Sequence, residues 1–156
     1  MYDKKIPIQF KKMCKSHLDD VLEIENRSFP TPWSRTAFSH EIDNKDFAYY
    51  IVALEEDKVV GYTGMWIILD EGHVTTLAVH PSYRRKQVGG ALLCQLFREA
   101  IWRGCVKMTL EVRPSNFAAM RLYENTGFVS CGVRPGYYSD TGEDAVIMWK
   151  NLHNDD

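Results

Sequence analysis

Between His73 and Gly104 the chain passes from an apolar strand, about His73 to Val79, through His80-Pro81 into a basic, glycine-bearing turn. That turn, Tyr83-Arg84-Arg85-Lys86-Gln87-Val88-Gly89-Gly90, runs straight on into a long apolar helix. The helix carries Val88, Leu92 and Leu96, with Leu93, Phe97 and Ile101 beside them. Such a wide stripe fits a helix lying on a sheet. Gly104 closes it as a C-terminal glycine does.

The flanking segments supply the sheet. Ile6, Ile8 and Phe10 alternate with polar or breaking residues and predict a first strand. Ser16 is expected to cap a helix bearing Leu18, Val21, Leu22 and Phe29, ended by Pro30-Thr31-Pro32. Ser34 caps a short second helix with Ala37, Phe38 and Ile42. Residues 47–54 and 59–69 are apolar strand runs around the polar turn Glu55-Glu56-Asp57-Lys58. Past Gly104, Val106, Met108, Leu110 and Val112 alternate with Lys107, Thr109 and Glu111 as a strand. Ser115 or Asn116 caps a further helix with Ala119, Leu122 and Tyr123, closed by Gly127. Two strands, near 128–133 and 145–150, flank a loop from Arg134 to Asp144. The order predicts an α/β fold in one domain, residues 1–156, around a mixed sheet.

Charge and cysteines narrow the function. Nineteen Lys and Arg against twenty-one Asp and Glu leave a formal −2, without the basic excess that phosphate contacts demand of a nucleic-acid binder. Direct nucleic-acid binding is therefore not expected. Uncharged runs such as the eleven residues Val59 to Leu69 fall well short of the roughly 20 a membrane helix needs. The start, Met1 to Pro7, lacks the apolar core of a secretory signal. Cys14, Cys94, Cys105 and Cys131 share no metal-ligand spacing, so no metal is expected and the thiols read as reduced residues of a cytoplasmic protein. Cys94, within the apolar helix, reads as core rather than nucleophile. His73 and His80 have no partner in sequence and are assigned to solvent.

A turn that holds a pyrophosphate needs free backbone N–H groups, a helix N-terminus behind them and positive charge nearby. Arg84 to Gly90 supplies all three.

The strand Thr75-Thr76-Leu77-Ala78-Val79-His80-Pro81, followed by Tyr83 to Leu93, resembles the acetyl-CoA motif of the GNAT superfamily of N-acetyltransferases. Phe29 to Ser34, Leu110 to Asn116, Leu122 to Phe128, Arg134 to Tyr138 and Glu143 to Ala145 are similar to its RimI branch, the ribosomal-protein alanine N-acetyltransferases. The resemblance spans about residues 8–150. It implies the GNAT fold: a mixed, mostly antiparallel sheet of about seven strands with about four helices.

The resemblance also implies roles. Acetyl-CoA is the cosubstrate, bound by main-chain groups of Leu77, Ala78 and Val79 and by Arg84, Arg85, Lys86, Gln87, Val88, Gly89 and Gly90. An N–H near Val79 would face the thioester oxygen and stabilise an oxyanion. Read from Arg84, the family's first glycine is Gln87 here, which weakens cofactor binding only if residue 87 needs positive φ. Glu111 matches the general base. Tyr123 matches the general acid, expected to protonate the thiolate in a downhill transfer. Asn116 is either a cofactor contact or a helix cap. Trp33, Tyr137 and Tyr138 are candidates for lining the acceptor groove. The implied acceptor is a protein N-terminus, the N-terminal alanine of a small-subunit ribosomal protein. An α-amine near 7.7–8.0 is easier to deprotonate than lysine near 10.4. Asp140, Glu143 and Asp144 would suit a basic tail by charge sign. Two alternatives stand beside this reading: acetylation of lysine or a polyamine-like small amine, and a non-catalytic acetyl-CoA-binding module.

Overall fold

The computed structural model describes residues 7–84 and 86–152. Its seven strands are β1 (Ile8–Lys12), β2 (Ala48–Glu55), β3 (Lys58–Ile68), β4 (Glu71–Val79), β5 (Lys107–Val112), β6 (Val129–Arg134) and β7 (Ala145–Asn151). They form one sheet in the order β1-β2-β3-β4-β5-β7-β6. Every neighbouring pair is antiparallel except β4 and β5. Four α-helices, α1 (Leu18–Ser28), α2 (Arg35–Asp43), α3 (Val88–Trp102) and α4 (Phe117–Asn125), cover its two faces. This is the mixed, mostly antiparallel sheet expected from the sequence.

Alternation along the strands sorts residues onto those faces. Met108, Leu110 and Val112 are buried while Lys107, Thr109 and Glu111 point the other way. On the first face Leu18, Val21, Ile24 and Phe38 from α1 and α2 pack against Tyr50, Val52 and Tyr62. On the second, Leu93, Leu96 and Ala100 from α3 and Tyr123 from α4 pack against Met65, Met108, Leu110 and Met148. Each large apolar side chain fully buried this way contributes about 1.5–3 kcal/mol.

Several local readings change. Ser16 does not cap a helix: it lies inside a 3-10 turn at Lys15–His17, its hydroxyl engaged by Cys14 Sγ at 2.9 Å, and α1 begins at Leu18. Ser34 does cap α2, accepting from the Ala37 N–H at 3.1 Å. Strand β4 begins at Glu71, because hairpin pairing carries back to Ile67↔Gly72 and Ile68↔Glu71. Cys94 is exposed rather than core: the buried stripe of α3 is Val88, Leu92, Leu93, Leu96 and Ala100, and Cys94 projects off it. Ile6 lies outside the described residues.

The feature that positions a site is the junction of β4 and β5. These parallel strands pair only at Glu71↔Lys107, Gly72↔Met108 and His73↔Thr109. Just beyond, a bulge leaves Thr75 without a partner in β3, since Gly64 pairs with Thr76 and Met65 with Val74. Bulges increase local twist and bend a strand. The rest of β4 accordingly leaves β5, which stays paired with β7 as far as Val112↔Val146. A split opens between the two strand ends.

Candidate active site

The split exposes backbone of a definite parity. The His80 N–H donates to Val60 O at 2.8 Å, so hydrogen-bonding groups two residues back, at Ala78, also turn toward β3. Those of Leu77 and Val79 turn into the split. Of the three residues predicted to hold the cosubstrate by main chain, Leu77 and Val79 offer free groups and Ala78 supplies a buried side chain. The Val79 carbonyl is taken by Arg84 Nε at 3.2 Å, leaving the Val79 N–H as the donor facing the opening.

The anion cradle follows at once. Gln87 adopts φ 65°, ψ 14° and α3 starts at Val88. The chain thus turns through a left-handed residue to aim the first N–H groups of a four-turn helix at the end of the split. Gly89 has a second reason to be glycine: a Cβ there would stand 2.9 Å from Leu122 Cδ2, so α3 and α4 meet at that point. Gly90 leaves more room, 3.9 Å to Leu122 Cδ1. Arg84 and Lys86 are exposed beside the turn. Arg85 lies outside the described residues. Free N–H groups, a helix start and cations fit a pyrophosphate-bearing donor such as acetyl-CoA.

Glu111 is on the opposite wall. Its side chain is 10% exposed, its Oε2 lies 2.6 Å from His73 Nε2, and Arg134 comes within 3.9 Å of Oε1. The His73 hydrogen bond holds the Glu111 carboxyl below its ordinary range, against burial, which pushes it up. Histidine 73 is therefore not a solvent residue: parallel pairing of β4 with β5 sets it on the same face as Glu111. His80 is buried too, its Nδ1 accepting from the Ser82 N–H at 3.1 Å.

Tyr123, on α4, buries its ring edge-to-face against Phe128. Its hydroxyl makes no hydrogen bond to a described residue, yet among those residues no fully enclosed side-chain polar atom lacks a partner. Burial raises the pKa of the hydroxyl. A phenol near 10 is already a weaker acid than a thiol near 8.5, so transfer to a thiolate is uphill, not downhill. Tyr123 is suited to hydrogen-bonding the departing sulfur and yielding its proton only as charge builds there. Asn116 caps α4, its Oδ1 accepting from the Ala119 N–H at 3.1 Å.

Two loops frame the site. Trp33 is half-buried, its ring 5.3 Å from Phe38 and 6.4 Å from Tyr50. The carboxylate of Glu25, buried in α1, accepts the Trp33 N–H at 2.9 Å and the Tyr62 hydroxyl. Tyr138 lies under the Arg113 guanidinium at 3.9 Å and is close enough to Glu111 and Tyr123 for their charges to be felt. Tyr137 stands edge-on to it and is 46% exposed. The acidic loop residues are committed internally. Asp140 binds Arg113 and Thr31, Glu143 binds Ser115, and Asp144 accepts the Gly136 N–H at 2.8 Å. They anchor the loop while keeping their negative charge at the surface. Glu25, Arg113 and His73 were missed in sequence; only the cluster of acids after Arg113 hinted at one of them.

A parallel pair split beyond a bulge, with a helix-start cradle on one side and a buried carboxylate on the other, is an arrangement that can serve acyl transfer from a long phosphorylated donor. The acetyltransferase (GNAT) family model matches residues 18–128, and the chain belongs to that family. It is 36% identical over 133 residues to the ribosomal protein bS18-alanine N-acetyltransferase of Escherichia coli K12, covering 84% of this chain and 88% of that one. The crystal structure of the Escherichia coli ribosomal-protein-S18-alanine N-acetyltransferase superposes with TM-score 0.85 at 31% identity, over 96% and 97% of the two chains. That of Ard1 from Thermoplasma volcanium superposes at 0.87 over 94% and 99%, with 23% identity, a likeness of fold. No helix among the described residues is long and apolar enough to cross a membrane.

Proposed function

We propose that this acetyltransferase moves an acetyl group from acetyl-CoA to a protein N-terminal α-amine, the N-terminal alanine of a small-subunit ribosomal protein being its physiological acceptor. The observation that carries this is the buried Glu111 carboxylate at the β4–β5 split, bound by His73 and near Tyr138. Acetyl-CoA supplies the activated acyl group. Leu77 and Val79 bind its arm by main chain, and the turn from Arg84 to Gly90 takes its phosphates, the α3 N-terminus adding its dipole. The Val79 N–H donates to the oxygen on which charge develops. Glu111 accepts the proton of the acceptor amine. Tyr123 steadies the leaving thiolate. Trp33, Tyr137 and Tyr138 line the groove along which the acceptor peptide lies. The relatives named for alanine N-acetylation support the choice of acceptor.

Mass spectrometry of two peptides incubated with protein and acetyl-CoA tests this. One begins with free Ala followed by basic residues; the other is N-blocked and contains Lys. Acetyl on the free Ala alone is expected. Labelling of Lys would move the reading to side-chain amines, and acetyl-CoA binding without transfer would leave only a binding module.

A further inference from the structure

Among the described residues the carboxylate of Glu111 takes one side-chain hydrogen bond. His73 Nε2 sits 2.6 Å from Oε2, whereas the nearest cation to Oε1 is Arg134 at 3.9 Å, itself 58% exposed. An ionised carboxylate only accepts hydrogen bonds, so at this separation Nε2 carries the hydrogen and donates it. The imidazole is in turn fixed. Its ring stands edge-on to Trp66 at 5.7 Å, and the Trp66 Nε1–H donates to Glu41 Oε2 at 2.9 Å. A line of contacts therefore runs from α2 across β3 and β4 to Glu111 on β5.

We propose that His73 is the positioning residue of the base: its Nε2 hydrogen fixes Glu111 Oε2 and leaves Oε1 to meet the acceptor amine. This rests on the reading of Glu111 as the base. With its carboxylate so oriented, Glu111 can take the amine proton.

The other groups facing the pair do not substitute for His73. Arg134 from β6 is farther and more exposed. Glu71 and Lys107, next along the same face, neutralise each other at 3.5 Å. Glu41 from α2 is turned to Trp66. Tyr138, from the loop after β6, is pushed up to about 12 by its burial and stays neutral.

The test uses His73→Gln, whose amide still donates a hydrogen bond, beside His73→Ala, which donates none. With the alanine-led peptide saturating, H73A should lose about 10²-fold in kcat, as a misplaced reacting group does, and H73Q should recover a large part of that. Independently of turnover, the wild-type NMR spectrum should hold a protected His73 Nε2–H resonance that disappears in Glu111→Gln. An active protein lacking that resonance, or H73A as active as H73Q, would overturn the role of His73. A wild-type protein that acetylates no peptide would instead overturn the assignment of the base.

Discussion

The Thr31 hydroxyl donates to Asp140 at 2.7 Å, joining the loop after α1 to the loop after β6 across 109 positions of sequence. Asp140 also receives two hydrogen bonds from one Arg113 nitrogen, at 2.8 and 3.1 Å, and Arg113 roofs the ring of Tyr138. The aromatic rim of the proposed acceptor groove therefore has one electrostatic fastening.

Replacing Asp140 with Asn should loosen that frame. Arg113 and Thr31 hold the Asp140 carboxyl down to about 2, below the ordinary 3.8. A carboxyl lowered on folding contributes above its unfolded value and fades only as pH falls through its folded one, so the fastening is complete throughout neutral pH. D140N is expected to raise the peptide KM several-fold while sparing acetyl-CoA binding. The rise should be the same in low and high salt. Should it vanish in high salt, Asp140 would instead be attracting a basic acceptor directly.

Gln87 is the clearest local strain beside the cradle. At φ 65° its Cβ crowds the following carbonyl, which costs about 1–2 kcal/mol for any residue but glycine. Glycine returns part of this as unfolded-chain entropy. Gln87→Gly is thus expected to raise Tm by about 2–4 °C, the shift that about 1 kcal/mol produces in a domain of this size, and to hold or tighten acetyl-CoA affinity. Calorimetry with and without the cosubstrate checks both. A lower Tm would mean that the Gln87 side chain makes a stabilising contact outweighing its strain.

These cases mark what was legible in the chain. Alternation gave β5 and the side on which Glu111 lies, because period two is written in every second residue. Ser34 and Asn116 disclosed their caps, because a cap is satisfied within three residues. His73–Glu111, Glu25–Trp33 and Arg113–Asp140 were not legible. Each joins elements whose meeting depends on strand order, and the parallel neighbour of β4 is set by a crossover through α3, not by local pattern. Cys94 failed for another reason: within a wide apolar stripe a difference of one residue rotates a side chain by 100°, from core to solvent.

Tyr123→Phe separates packing from chemistry. The ring stays against Phe128 and the lost hydroxyl has no described partner, so Tm should move little. If the hydroxyl supports the departing thiolate, kcat should fall about 10²-fold, the low end of general-acid effects. Because burial raises its pKa, ionisation of this phenol should produce no alkaline limb below pH 10. Full activity in Y123F would transfer the role to Tyr138 or to water.

Glu25 is a buried carboxyl whose pKa is raised, burial outweighing its bonds to the Trp33 N–H and the Tyr62 hydroxyl. The fold thus favours its neutral form. For a group raised on folding, the favourable contribution is whole below the unfolded value near 4.5 and is lost as pH climbs through the folded value. Glu25→Gln has no such titration. Its stability relative to wild type should therefore improve as pH rises above about 4.5, measured by urea unfolding at each pH. Glu25→Ala leaves two buried donors without an acceptor, at about 1–3 kcal/mol each, and frees the Trp33 segment, so it should lose stability at every pH and raise the peptide KM. A Glu25→Gln protein whose difference from wild type is flat across that range would mean that the carboxyl is ionised in the fold at no cost. Glu25 would then be a charged part of the acceptor groove rather than a neutral peg beneath it.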